Sequence, residues 1–538
     1  MSPIAANANA SNPPDTGGTS TAVPHPLRAA GSGTLRTLVV GGILLCLLMG
    51  ALDNFVVLTA LSSILPDLKA TFAEQSFVVS AYLITSTVAV PIFARLSDMY
   101  DRKTVFLSGL FIFIAGSVLA GLSQTFGELV AFRAIQGFGS GDFFPVGIAI
   151  VAVIFPPETR ARITGLLSGV FGIATVAGPF LGSFIVDHTT WRWVFYVNIP
   201  VGLAGLALLM IALGPVRPER SGRFDVVGTV LLAGWVGALM FPLVEVGLGG
   251  WSWLDPRVLA LLALTLVLFA AFIFWELRSK EPLVPVRLMG HRIVGAAGGT
   301  TFLVGFVLFP LATFLTFFIQ DVTLAGQQGG VSDTVRDVLY ALVIPLVFGA
   351  ALGGNLMTRI GYRPIAAGGL ALGSFGMFWL TQLTVHTPVW KFAFGFLPVG
   401  GIVLPLIPLG FGIGLTFPVF LLAVQNQVPE SQVGAATGLV QFFQSLGGAM
   451  GLALLNSFQQ ARFNAIGPAV PPGGCPLGST QPSPACLQYF GAVPGPLATS
   501  YDQLFLLTFG LILLAFATSL LLKGRLPTAA KPPSPPPS

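Results

Sequence analysis

Charge is what this chain has least of. Only 9% of its 538 residues are Asp, Glu, Lys or Arg, against roughly 25% in a soluble domain. By contrast 54% are hydrophobic, and mean hydropathy is +0.85. A water-soluble globule is thereby excluded. A transmembrane β-barrel is excluded too, because its strands would read as short alternating segments. The four histidines (His25, His188, His291 and His386) are too scattered for a metal site, and no cofactor is expected. No H-E-x-x-H, G-x-S-x-G or P-loop run appears, so a membrane-embedded enzyme and an ATP-driven pump both lack their machinery. The start of the chain has no apolar core of a cleavable signal peptide. The net charge of +5 points to no nucleic-acid partner; its distribution reports topology.

What the chain has instead is apolar runs of bilayer-spanning length. Fourteen helices are expected, at 37–60, 75–94, 104–122, 127–153, 162–186, 194–213, 226–247, 256–276, 293–319, 335–357, 364–384, 400–424, 433–456 and 501–522. With the N-terminus in the cytoplasm, Arg95, Arg102, Lys103, Arg160, Arg162, Arg217, Arg220, Arg223, Arg278, Lys280, Arg287, Arg292, Arg359, Arg363, Lys523 and Arg525 all fall inside. Lys69, Arg192, Arg257, Arg336, Lys391 and Arg462 fall outside. This bias fits an even helix count with both ends cytoplasmic. SDMYDRK after the second helix and LMTRIGYRP after the tenth are short basic loops at matching places. They divide the chain into a disordered tail (1–36), a six-helix half (37–213), a linker with two extra helices (214–292), a second six-helix half (293–522) and a tail (523–538). Paired halves are the usual build of secondary transporters.

A few charges stand inside the apolar runs. Arg133 opens RAIQGFGSGD in the fourth run. An arginine at bilayer depth costs at least ~2.5–3.5 kcal/mol, and such residues mark ion relays, substrate paths or gates. Asp53 lies in the outer part of the first run. Burial disfavours the charged form of a carboxylate, so Asp53 is read as a proton-coupling or cation-binding group; the alternative is an acid solvated by an outer vestibule. Asp142 lies in the same run as Arg133. It is read as a second proton site, a counter-ion for a cationic substrate, or a carboxylate bonded by Ser140 or facing water. Gln136 shares a helix face with Arg133. Gly137, Gly139 and Gly141 are read as helix-packing residues, since no strand precedes them and no G-K-[ST] follows.

LDNFVVLTAL (52–61) resembles the first-helix signature of the fourteen-helix drug:proton antiporters of the major facilitator superfamily. ARLSDMYDRK (94–103) resembles the superfamily's loop 2–3 motif, with Ala94 and Asp101 where glycines are usual. RAIQGFG (133–139) resembles its fourth-helix motif. Gly165 through GPFLGS (178–183) resembles the fifth-helix antiporter motif, with Ala174 and Ser183 replacing glycines. WRWVFYVNIPVG (191–202) and RFDVVG (223–228) look like the fourteen-helix branch. The resemblance implies a major facilitator fold and proton-coupled export of amphipathic, often cationic, compounds by alternating access. It implies that Arg133 assists proton transfer at a neighbouring acid. Asp98, Arg102 and Lys103 would form a conformational latch, Asp98 pairing with an arginine or a helix N-terminus to hold the outward-open state. Gly178, Pro179 and Gly182 would form a hinge that seals against proton leak.

The second half is poor in membrane acids. Its amides, Gln441 and Gln444 among them, can line a cavity or join helices; Gln444 stands where relatives often carry arginine. No acid lies centrally in 335–357, against a divalent-cation substrate. Phe55, Phe143, Phe144, Phe314, Phe317 and Phe318 can stack on aromatic substrates or simply pack. Residues 385–400 are apolar enough either to lie on the membrane surface or to form a hairpin. They motivate the alternative function, export of lipids or lipid-linked molecules. Cys475 and Cys486, in an external loop, can form a disulfide or stay free. Cys46 is read as a packing residue. The expected whole is a monomeric, multi-pass cell-membrane transporter whose partners are a small amphipathic substrate, protons and the lipid bilayer.

Overall fold

The computed structural model describes residues 33–70, 75–216, 223–247, 251–318, 331–382, 392–394, 397–399, 401–426, 428, 433–467 and 494–522. Sixteen helices occur among them. The first eight are α1 (Gly33–Asp67), α2 (Gln75–Met99), α3 (Arg102–Leu122), α4 (Phe126–Ser140), α5 (Phe143–Ile154), α6 (Pro157–His188), α7 (Trp193–Tyr196) and α8 (Asn198–Ala212). Then come α9 (Val226–Gly247), α10 (Pro256–Arg278), a 3₁₀ turn (Val286–Gly290), α11 (Arg292–Phe318), α12 (Val331–Ile360), α13 (Tyr362–Leu380), α14 (Val403–Gln425), α15 (Val433–Ile466) and α16 (Pro494–Ser519). Among the described residues, twelve spans are long and apolar enough to cross a bilayer. They are α1, α2, α3, α4 with α5, α7 with α8, α9, α10, α11, α12, α14, α15 and α16. Two further helices run beside them, α6 of 32 residues and α13 of 19.

Two expected single helices are broken, each by a proline. The run 127–153 divides at Gly141–Asp142 into α4 and α5. Pro145 has no N–H to offer the Gly141 carbonyl four residues back, and its ring crowds that carbonyl. The run 194–213 divides at Val197, where Pro200 stands in the same relation to Tyr196. Helix α15 continues ten residues past its apolar run, to Ile466. In the 385–400 segment, Phe392–Phe394 pairs antiparallel with Leu397–Val399 as a short hairpin. Cys475, Cys486, residues 1–32 and residues 523–538 lie outside the described residues.

Helix α1 packs on α6 and α8, and α3 and α2 pack on α4. Later in the chain α12 packs on α14, α14 on α13, and α11 on α15. The earlier helices meet the later ones chiefly where α6 crosses α12 and α2 crosses α15, and also where α5 meets α15 and α6 meets α14. The α9–α10 hairpin leans on both α2 and α15. Phe241 of α9 meets Phe77 of α2 at 5.9 Å between ring centroids, and Trp235 meets Phe442 of α15 at 6.1 Å. Just past α10, Glu281 accepts from Arg95 at the end of α2 at 2.5 Å.

The α12–α14 crossing rests on backbone contact, the small-residue mode of helix association in membranes. At Gly410 and Gly414 a Cβ would overlap the carbonyl oxygens of Leu342 and Leu346. Gly410→Val is therefore expected to lower the melting temperature of the purified protein and broaden its size-exclusion peak. Gly237→Ala is the matched control. Nothing lies within 4 Å of the added methyl, so it is expected to leave both unchanged or slightly improved.

Candidate functional site

Asp53 is 1% exposed, inside α1, and its carboxylate is the centre of a buried network. Arg133 Nη1 donates to Asp53 Oδ2 at 2.5 Å and to Gln136 Oε1 at 2.7 Å. Asp53 Oδ1 accepts from Gln136 Nε2 and Asn198 Nδ2, both at 2.8 Å. Ser117 Oγ accepts from the same two amides at 3.1 and 3.0 Å and donates to the Phe195 carbonyl at 2.8 Å. The Arg133 guanidinium lies over the Tyr82 ring at 4.2 Å, while the Tyr82 hydroxyl donates to the Gly50 carbonyl at 3.2 Å. Helices α1, α2, α3, α4 and α8 thus each contribute. A guanidinium and a carboxylate in so little water are tolerable only because each is paired and the remaining lone pairs are filled.

Asp142 is equally buried but lies outside this network. Among the described residues, neither of its carboxylate oxygens has a partner. The side chain turns onto α3, where a Cβ at Gly109 would overlap it. Of the alternatives for Asp142, the bond to Ser140 is not formed: that hydroxyl donates to the Gly137 carbonyl.

Asp98, near the end of α2, reaches the other group of helices. Its carboxylate accepts from the backbone N–H of Gly434 at 3.1 Å and of Ala435 at 2.7 Å, in the first turn of α15. This is a carboxylate at the positive end of a helix dipole. Arg102 stands beside it, Nη2 to Oδ1 at 3.5 Å. Ala94, at a glycine position of the motif, packs directly opposite Gly438, which supplies the close approach instead. Asp101, at the other, N-caps α3 by accepting from Thr104 N at 3.0 Å; such a cap is worth ~1 kcal/mol. Lys103 is not in this contact: its Nζ donates to the Leu213 and Met210 carbonyls at the end of α8, at 2.5 and 3.2 Å.

Between the two groups of helices lies a cavity lined by Phe144, Phe420, Thr301, Thr416, Gln441 and Gln444, with apolar neighbours. Phe143 does not face it; its ring sits between Phe106 and Phe113, at 6.0 and 5.3 Å. The break at 141–142 turns its neighbour Phe144 to the cavity instead. Phe55 packs on α6, where a Cβ at Gly178 would strike it, and a Cβ at Gly182 would strike Thr59. Pro179 is helical, but its side chain lies outside the described residues. Phe314 and Phe318 are buried packing residues, Phe318 against Tyr501 and Phe505.

The pattern of the Major Facilitator Superfamily matches residues 43–452. The chain belongs to that superfamily. It is therefore a multi-pass membrane transporter, of a family that handles small substrates and is not enzymatic. Among its relatives is the multidrug transporter protein MdtP of Bacillus subtilis, 32% identical over 434 residues, 80% of this chain and 77% of that one. Multidrug resistance protein 3 of the same organism is 32% identical over 78% of this chain and 79% of its own length. The tetracenomycin C resistance and export protein of Streptomyces glaucescens is 30% identical over 81% and 77%. The fold is that of the human organic anion transporter MFSD10 (TETRAN), with a TM-score of 0.56 at 15% identity over 88% of this chain and 99% of that chain.

In the Asp53 network of this superfamily member, Asn198, Ser117 and Tyr82 were not singled out from the sequence, nor were Thr301, Thr416 and Phe420 at the cavity. Asn198 stands within WRWVFYVNIPVG, so the signal was present. The structure shows how that segment aims it. Trp191 Nε1 and Arg192 Nη1 donate to Asp67 at the end of α1, at 2.8 and 3.0 Å. Those hydrogen bonds hold the Asp67 carboxyl below its ordinary value. The break before Pro200 then starts α8 with Asn198 facing α1. Ser117 carries no sequence signal; one hydroxyl in an apolar helix is ordinary.

Two outcomes follow. Asp53→Asn leaves the Arg133 charge buried without its counter-ion, and is expected to cost ~3–5 kcal/mol, read as a fall in melting temperature. Asp53→Asn combined with Arg133→Gln is expected to recover most of that loss; additive destabilisation would contradict the pairing. Spin labels at Tyr100, two residues past Asp98, and at Ile360, the last residue of α12, are expected to move apart in Asp98→Ala and also in Gly434→Ala, whose added Cβ would overlap Asp98 Oδ1. An unchanged distance distribution in both variants would show that this contact does not hold the two groups of helices together.

Proposed function

We propose that the chain is a proton-coupled exporter of amphipathic compounds, including drugs, working by alternating access. The observation that carries the reading is Asp53, ion-paired to Arg133 and bridged by Gln136 and Asn198 inside bilayer-spanning helices. A proton arriving on Asp53 cancels the ion pair. Arg133 then keeps its bond to the Gln136 carbonyl oxygen and its place over the Tyr82 ring, so the cation is not stranded. Asp142, which has no cation beside it, is a second acid able to carry a proton.

Counting α6 and α13 with the twelve apolar spans gives fourteen, in two six-helix halves (37–213 and 293–522) with α9 and α10 between them and both chain ends cytoplasmic. On this reading the contacts between halves at Asp98, Gly165–Ala350 and Arg162–Asn355 close the cytoplasmic side, and the cavity belongs to an outward-facing state. Asp98 and Arg102 are the latch. Protonation is felt at the seam through α1, which packs by Phe55, Val56 and Thr59 on Gly178 and Gly182 of α6, and α6 in turn packs on α12.

The test is efflux of a cationic and a neutral fluorescent dye from drug-sensitive cells, with and without an uncoupler. Wild type is expected to lower dye accumulation in an uncoupler-sensitive way. Asp53→Asn and the Asp53→Asn/Arg133→Gln double variant, matched for expression, are expected to lose that component. Uncoupler-sensitive efflux that survives in the folded double variant would overturn proton coupling at Asp53.

A further inference from the structure

The foot of the α9–α10 hairpin holds two buried acids that the mechanism above does not use. Asp225, just before α9, is 9% exposed, and Glu276, in the last turn of α10, is 1% exposed. Their carboxylates close on one small space. A Cβ on Gly228 would lie 2.8 Å from Glu276 Oε1 and 2.9 Å from Asp225 Oδ2. With glycine there, the space belongs to the two oxygens.

The two acids are not built alike. Asp225 is surrounded by donors. Its Oδ1 accepts from the Gly228 N–H at 2.7 Å, in the first turn of α9, and Trp275 Nε1 donates to Oδ1 and Oδ2 at 2.9 and 3.0 Å. Asp225 thus caps the positive end of a helix dipole, a place that favours an anion. Glu276 stands at the negative end of α10, which disfavours one. Its Oε2 has a long bond from the Val284 N–H, at 3.4 Å, and its Oε1, on the Asp225 side, has no partner among the described residues. The cations nearby are engaged elsewhere. Arg95, at the end of α2, is taken by Glu281 at 2.5 Å. Arg287 of the 3₁₀ turn donates to the Leu277 carbonyl, and Arg278 lies over the Phe274 ring at 3.6 Å. Two buried carboxylates that share one space without a counter-ion cannot both be charged at modest cost.

We propose that this is a proton-binding site separate from Asp53: Glu276 carries a proton on Oε1 and donates it to Asp225 Oδ2. The proton ties the end of α10 to the start of α9. Its release leaves two like charges facing each other and loosens the foot of the hairpin. The same foot carries Glu281, which holds Arg95 of α2, so occupancy of the site sets how firmly the hairpin grips α2. The tie is present while Glu276 is protonated and is lost as pH rises. On the topology proposed above the site faces the cytoplasm and responds to cytoplasmic pH. The site itself does not depend on the exporter reading.

The experiment is infrared titration and thermal unfolding of the purified full-length protein in nanodiscs, from mildly acidic to alkaline pH. Glu276→Gln keeps a donor toward Asp225 and cannot titrate. A protonated-carboxyl band is expected in wild type, absent from Glu276→Gln and lost from wild type on alkalinisation. The melting temperature of wild type is expected to match that of Glu276→Gln at the acid end and to fall progressively below it as pH rises. Gly228→Ala, whose methyl would overlap both oxygens, is expected to shift or abolish the same band, so one folded variant suffices. A Glu276→Gln spectrum that keeps every protonated-carboxyl band of wild type overturns the site, because Glu276 is then ionised and held by water or a cation instead. A melting-temperature difference between the two that does not change with pH overturns it as well. Neither readout uses transport, so this site and proton coupling at Asp53 stand or fall separately.

Discussion

A guanidinium and a carboxylate held in a space with almost no water constrain everything around them. Either charge alone would be costly beyond what one bundle can offset. The structure answers by bringing five helices to one point. Arg133 meets Asp53, and Gln136, Asn198 and Ser117 fill the lone pairs that remain. The relative placement of α1, α2, α3, α4 and α8 is set as much by this network as by apolar packing, because lipid supplies little drive for helices to associate. The two proline-directed breaks serve it. One begins α8 with Asn198 turned inward; the other ends α4 soon after Gln136 and lets α5 start in a new register.

The seam between the groups of helices is built differently. There several contacts are backbone-close: Asp98 on the first turn of α15, Ala94 against Gly438, Gly165 against Ala350. Contacts of this kind can form and break as units. The α9–α10 hairpin touches both sides of one seam, through Phe77–Phe241, Trp235–Phe442 and Arg95–Glu281. Any separation of α2 from α15 has to break one of these pairings or carry the hairpin with one side.

Much of this was legible in the chain, for physical reasons. A charge inside an apolar run is visible because it is costly, so Asp53, Arg133 and Asp142 stood out, and Gln136 followed by helical spacing. Asp98 was legible from its motif, which implied an arginine or a helix N-terminus as its partner; both stand beside it. Phe143 and Phe144 were both open to stacking or packing in the sequence; the helix break at 141–142 puts Phe143 among packed rings and Phe144 at the cavity. Lys103 read as part of a latch because it matches the loop 2–3 motif, and its reach takes it to the carbonyl end of α8. Ser117 was silent because a single hydroxyl costs a helix little. The helix ends past the apolar runs, such as the last turns of α15, were silent too. Hydropathy marks where lipid is, not where a helix stops.

The distribution of charge then bears on how the transporter is organised. The first bundle holds a cation–anion pair and an unpaired acid in its interior, and the cavity-facing helices of the second present amides, hydroxyls and rings. If the coupling ion and the cargo shared one carboxylate, the two would compete for it directly, and a cationic cargo would be displaced by the proton. Here Asp53 and the cavity are separate. The close α1–α6 and α6–α12 crossings form a continuous packed route from Asp53 to the seam. A packed route of that kind can carry a rearrangement of the Asp53–Arg133 pair to the contacts between the groups of helices.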